Sequence, residues 1–216
     1  MRIFIKRYGY ELSNITMHKY MNKGLNLCAV IMHSKPGYKT GKKNKIFDNL
    51  LNQNFTVDCN NKIWYTDFTY MRQPNGKFRY NCSIIDLYDR SAVASLNSDY
   101  INTDLAISTL KTALEKENYP KVILHSDQGG QFTSWEFVNY CKENNITQSM
   151  SKAGCPYDNA PVERFYNTFK SNFYNVTSFS NVEMMDELTT KYINWYNYVR
   201  PHSHNNYLTP MEARYR

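Results

Sequence analysis

The sequence has no cysteine pair at metal-ligand spacing. Its five cysteines, Cys28, Cys59, Cys82, Cys141 and Cys155, are odd in number, widely spaced and never in a C-x-x-C arrangement. That pattern argues against a disulfide framework and against a zinc ribbon. Reduced thiols in a cytoplasmic protein are expected instead. His18, His33, His202 and His204 have no cysteines placed to complete a zinc site. No stretch approaches the ~18 apolar residues of a membrane span, so no membrane partner is expected. The opening Met1–Lys6 is too short for a signal peptide and meets a charge directly after its apolar residues. No G-x-x-x-x-G-K-S/T loop is present, so nothing points to ATP use. Internal repeats and low-complexity runs are absent too.

What the chain does have is length, aromatics and positive charge. Its 216 residues are 42% hydrophobic and 15% aromatic, enough for one sizeable domain with a small appendage. The formal net charge of +7 favours a polyanionic partner, although a merely basic soluble protein would carry it as well.

Residues 1–34 allow a short helix broken at Gly24. Residues 35–49 carry five lysines (Lys35, Lys39, Lys42, Lys43, Lys45) and almost nothing apolar before Ile46. They read equally well as a basic linker lying on phosphates or as a solvated connector. A compact region is expected from about Asn54. Residues 62–71 are rich in β-branched and aromatic side chains and predict a strand. Pro74-Asn75-Gly76 marks a turn, and residues 77–86 return as a second strand. A third strand fits 91–97. Leu105, Ile107, Leu110 and Leu114 recur at helical spacing, which predicts a helix from Thr103 to Glu117 with Asn102 or Thr103 as its cap. Residues 122–124 form a short apolar strand, Thr133 or Ser134 caps a helix running through Cys141, and 146–150 form another strand. Helices over 158–173 and 182–199 close the chain. The order implies an α/β fold, a mixed sheet covered by helices on both faces.

Three acidic residues stand out against this background. Asp67 lies inside the first strand, with Ile63, Tyr65 and Thr69 on its side. An acid in a central strand is costly unless paired or metal-bound; an edge-strand Asp facing water is the plain alternative. Asp127 follows the apolar strand directly, at the carboxyl end where α/β sheets collect ligands. Gly129 and Gly130 after it permit a sharp turn or a close phosphate, or simply an ordinary Asp turn. Glu163 is separated from Asp127 by 35 intervening residues. On its helix, Val162, Tyr166, Phe169 and Phe173 make an apolar face flanked by Phe165, and Asn159, Glu163 and Lys170 line one edge. That edge can equally be a solvated flank. Pro161 suits the first turn. Carboxylates are the ligands hard cations prefer, and a two-ion carboxylate site suits phosphodiester chemistry.

The segments Trp64–Tyr70, His125–Thr133, Ser149–Ala160, Pro161–Tyr166, Trp195–Asn197, Arg200–His202 and Tyr207–Glu212 resemble, in order and spacing, the integrase-type core of bacterial insertion-sequence transposases. The group is the second-reading-frame product of the IS-three type, and the likeness covers about three quarters of the chain, from Asn54 to Arg214. The resemblance implies a ribonuclease-H-like fold and a DDE triad at Asp67, Asp127 and Glu163. It implies two Mg²⁺ or Mn²⁺ ions and no covalent protein–DNA intermediate. Water would free a 3′-hydroxyl at an element end, and that hydroxyl would attack a second phosphodiester. The implied partners are DNA (element ends and target), further copies of the chain in a homo-multimer, and a DNA-binding protein from an upstream frame. By position, Lys152, Asn159, Arg164 and Lys170 are the candidate DNA contacts. Arg200 and His202 serve DNA or C-terminal packing, while Trp195, Tyr196 and Tyr198 suit a core or interface.

Residues 1–53 read as an abbreviated helix-turn-helix-like remnant plus the basic linker, and 54–216 as the catalytic core with C-terminal helices. Tyr8–Tyr10 and Ile15–Gly24 resemble the start of the family's longer N-terminal region. The main alternative is a truncated, non-catalytic DNA-binding remnant or regulator of transposition. A ribonuclease-H-type nuclease fits the 35-residue interval less well. A retroviral-type integrase would need a His-His-Cys-Cys module before the core.

Overall fold

The computed structural model describes residues 1–27 and 45–216. Five strands form one mixed sheet: β1 (Ile63–Arg72), β2 (Phe78–Asp86), β3 (Ala92–Ser98), β4 (Ile123–Ser126) and β5 (Thr147–Met150). Their spatial order is β3-β2-β1-β4-β5. The first three run antiparallel, whereas β4 lies parallel to β1 and β5 parallel to β4. β1 is therefore central, paired on both edges. The β1–β2 hairpin closes at the expected turn, where Gly76 takes φ 83°, a conformation glycine reaches at little cost. The Asn75 side chain accepts the Lys77 N–H at 2.9 Å.

Helices cover both faces. One layer is α3 (Thr103–Lys116), the single turn α4 (Gly130–Thr133) and α5 (Trp135–Glu143). Leu110, Leu114, Phe132 and Phe137 from this layer pack on Trp64 and Ile84 of the sheet. The other layer is α6 (Ala160–Asn172) and α7 (Val182–Tyr198). There Val162, Phe165, Phe169, Met185, Tyr192 and Tyr196 pack on Tyr65, Met71 and Ile85. Alternation along β1 thus sends Trp64 to one layer and Tyr65, with Asp67 two residues on, to the other. Side chains cap the helix starts as polar residues at N-caps should: Asn102 accepts from Leu105 N, Ser134 from Phe137 N and Asn181 from Met184 N.

The chain ends in α8 (Pro210–Arg214), whose start is a full capping box between Thr209 and Glu212. Arg214 plugs this helix into the core. Its guanidinium reaches Asp89 at 2.6 Å, Asp86 at 3.3 Å and Glu117 at 2.5 Å, and is almost fully buried there.

At the N-terminal end, α1 (Arg2–Arg7) and α2 (Asn14–Lys19) precede a π-helical turn over Tyr20–Gly24, close to the short helix expected before Gly24. Arg7 bonds the Tyr207 carbonyl and Glu212. Lys35, Lys39, Lys42 and Lys43 of the basic stretch, together with Cys28 and His33, fall outside the described residues. Residues 46–53, assigned with the linker by composition, pack on the body instead: Leu51 is buried in the core and Phe47 lies against it. The physical reason is a hydrogen-bonded anchor, with Asn49 and Gln53 both donating to Asp158.

Candidate active site

Asp67 projects from the middle of β1 toward α6. It is half-buried, and one carboxylate oxygen accepts the Phe68 N–H at 2.7 Å. Its pKa is raised, first by burial and then by the negative charge of Asp127, with a smaller push from Glu163; the Phe68 N–H and the Lys170 ammonium pull the other way. Asp127 and Glu163, from two other parts of the chain, therefore both repel the Asp67 carboxylate.

Asp127 stands just beyond β4 and is exposed. Its Oδ1 accepts the Gly129 N–H at 2.8 Å. A Cβ on Gly129 would sit 2.9 Å from that oxygen and 3.1 Å from Gln131 Oε1, so glycine here is a matter of room for the carboxylate, at an ordinary negative φ. Glu163 occupies the first turn of α6, exposed at its rim yet desolvated enough by neighbours to raise its pKa. The α-helix begins at Ala160, and Asn159 ends a preceding 3₁₀ turn over Pro156–Asn159. The expected helical edge of Asn159, Glu163 and Lys170 is thus split by a change of helix type, because Pro161 favours the first turn of a new helix.

Asn159 is buried, at 4% exposure. Its amide nitrogen points to Asp67 Oδ2 at 3.5 Å, and its Oδ1 has no hydrogen-bond partner. Lys170 lies with Nζ 4.6 Å from the Tyr70 ring centroid, its pKa lowered by burial against the pull of Asp67. Lys152 and Arg164 are exposed. Among the described residues, no three His, Cys, Asp or Glu side chains stand in a ready-made metal cluster. The donor set nevertheless suits a hard cation: carboxylate oxygens in excess, with an unsatisfied amide oxygen beside them.

Two supporting residues, Tyr166 and Asp158, had no assigned role in the sequence, and a third, His125, suits a positioned neighbour better than a ligand. Tyr166, read as part of an apolar face, donates its hydroxyl to the Asp67 carbonyl at 2.8 Å, tying α6 to β1 at the acid itself. Asp158 is buried and accepts from Lys152 N (2.9 Å), Gln53 (2.8 Å) and Asn49 (2.9 Å). Burial pushes its pKa up, but these donors outweigh it and the net shift is downward. His125 is buried on the Tyr65 ring, bonds Ser149 and Ser151, and is held neutral by burial, its pKa pushed down to about 4. It braces the ends of β4 and β5. The signal for Tyr166 and Asp158 was their nearness to Glu163 in sequence, which cannot tell a packing face from a hydrogen-bonded one.

Integrase core domain models match residues 57–156 and 144–210. InsK of insertion sequence element IS150 from Escherichia coli K12 is 32% identical over 220 residues, spanning 96% of this chain and 77% of that protein. The chain belongs to the IS3 group of insertion-sequence transposases. Transposase InsF for insertion sequence IS3A, also from Escherichia coli K12, is 35% identical over 167 residues, 76% of this chain and 58% of that protein. Two solved structures share the fold of this transposase at 17% identity. One is a simian T-cell lymphotropic virus intasome, with TM-score 0.61 over 100% of this chain and 75% of that one. The other is the HTLV-2 integrase catalytic core domain in complex with magnesium, with TM-score 0.55 over 72% of this chain and 97% of that one. The fold is therefore ribonuclease-H-like, as the resemblance to integrase-type cores implies. No helix among the described residues is long and apolar enough to cross a membrane.

Proposed function

We propose that this transposase cuts and joins DNA with Asp67, Asp127 and Glu163 as the carboxylates of a site for two Mg²⁺ or Mn²⁺ ions. The observation that carries the reading is the charge balance at Asp67. Two further carboxylates raise its pKa on top of burial, and the Lys170 ammonium pulls weakly against them. Such crowding is costly without bound positive charge. Divalent ions held there would polarise a phosphodiester and lower the pKa of water.

The protein's own part is positioning. The Phe68 N–H and the Gly129 N–H fix one oxygen each of Asp67 and Asp127. Tyr166 holds the Asp67 backbone against α6, which carries Glu163. Asn159 would orient the second Asp67 oxygen, and its free Oδ1 would receive a donor from substrate. Lys152, Arg164 and Lys170 would hold DNA phosphates. Residues 54–216 would be the catalytic unit and 1–53 an accessory DNA-contacting segment. Element ends and target DNA, further copies of the chain and an upstream-frame DNA-binding protein complete the expected assembly, in the cytoplasm.

The test is a strand-transfer assay with Mg²⁺ on labelled DNA ending in the flanking element's terminal repeats, comparing wild type with Glu163→Gln. Joined product from wild type alone supports the reading. Product from both would remove Glu163 from the chemistry. Bound ends with no product from either would favour a binding-only remnant.

A further inference from the structure

Beside the carboxylates, a cavity of about 630 Å³ opens between the β2–β3 turn, α6 and the segment after α7. Its wall includes Arg90, Arg164, His202 and His204, against a single carboxylate, Glu163. Ile85, on its floor, pairs with Tyr65 in the sheet. Asp67 lies two residues further along β1, a rise of about 7 Å. Cavity and acid therefore share one face of the sheet, with Glu163 on the wall between them.

Arg90 is the unusual member. It adopts φ 63°, a left-handed conformation rare for a long side chain and often found where function demands it. Its Nη1 is buried with no hydrogen-bond partner. The nearby carboxylates do not supply one: Asp86 and Asp89 bind the Arg214 guanidinium instead. A buried guanidinium nitrogen without an acceptor is expensive, and an anion in the cavity would satisfy it. The histidines add neutral polar groups. His202 Nδ1 accepts the His204 backbone N–H at 3.3 Å, so its proton sits on Nε2, free to donate. Burial, then Arg200 and Arg90, keep that ring uncharged.

We propose that this cavity seats a backbone phosphate of the DNA strand next to the bond acted on, bound by Arg90 and Arg164 with His202 as a further hydrogen-bond donor. The assignment rests on the DNA-joining reading above and extends it to residues outside the carboxylate site. Guanidinium pairs suit phosphate because they present parallel N–H groups to its oxygens.

The experiment measures binding of an element-end duplex by fluorescence anisotropy across a salt series. It uses the full chain as wild type, Arg90→Gln, Arg90→Lys and Arg164→Gln, with inorganic phosphate as a competitor and a thermal melt of each variant. Arg90→Gln is expected to weaken binding about ten-fold at low salt and to reduce the slope of log affinity against log salt by about one. Arg90→Lys should keep the slope. Should Arg90→Gln fail to fold, the exposed Arg164→Gln carries the same slope prediction. An Arg90→Gln protein that folds and binds DNA with unchanged slope overturns the proposal. So does Arg90-dependent binding of millimolar phosphate that leaves DNA binding intact, which would make this a small-anion site. Loss of joining in Glu163→Gln with normal binding tests the catalytic reading separately, so the two can fail independently.

Discussion

Replacing Arg214 by methionine removes the cation from a buried cluster and should be among the most destabilising single changes in this chain. In the native protein the guanidinium meets Asp89 (2.6 Å), Asp86 (3.3 Å), Ser91 (3.2 Å), Asn61 (2.8 Å) and Glu117 (2.5 Å). Asp86 and Asp89 are fully buried. Methionine fills much of the volume but leaves three carboxylates facing one another. They keep some support: Asp86 still accepts from Asn61 N and Tyr88 N, and Asp89 from Ser91 N. Breaking one side of a buried ion pair costs about 3–5 kcal/mol. For a chain of this size that lowers Tm by about 6–20 °C.

The pH dependence separates charge from packing. Burial and then Asp89 already raise the Asp86 pKa in the native state, while Arg214 holds it down. Without Arg214 it climbs further. A carboxyl with a raised native pKa binds a proton more readily folded than unfolded, so its cost is felt at high pH and fades as pH falls. The deficit of Arg214→Met relative to wild type, read from urea unfolding, should be largest above neutrality and shrink toward pH 5. Adding Asp86→Asn and Asp89→Asn should restore part of the loss at pH 8. A deficit that is the same at pH 5 and pH 8 would refute the electrostatic account and assign the effect to lost packing. A loss under about 1 kcal/mol would remove the cluster as the lock on α8.

Other changes bear on the site. Gly129→Ala places a methyl 2.9 Å from Asp127 Oδ1; strand transfer should fall about 10–100-fold, since small misplacements of a reacting group are expensive, while the melting temperature stays nearly fixed. Tyr166→Phe removes the donor to the Asp67 carbonyl and should cost about 1–3 kcal/mol in denaturant unfolding, with a larger loss in joining rate than in DNA affinity. Asp158→Ala strips the acceptor shared by Asn49, Gln53 and Lys152 N; limited proteolysis should then cut near residues 45–53 faster than in wild type. Ser134→Ala deletes the cap of α5 and should cost about 1 kcal/mol with no effect on chemistry.

How much of this was legible beforehand depended on whether a signal was local. The central strand was readable because Trp64 to Tyr70 is β-branched and aromatic, and the structure pairs β1 on both edges. Leu105, Leu110 and Leu114 gave α3 nearly to the residue, since helical periodicity is a local property of the chain. The single turn α4 escaped because four residues carry no period. Residues 46–53 looked like linker because what holds them is Asp158, about a hundred positions away, and no window of sequence contains both partners. Tyr166 shows the same limit in another form. Its ring obeys the apolar pattern of α6, but its hydroxyl reaches across to β1, and periodicity records only the ring. Arg90 shows it most sharply. In sequence it is one basic residue near Asp86 and Asp89, with nothing local to mark it. Only the fold brings Arg214 in to take those acids, and Arg90 Nη1 is left buried without an acceptor.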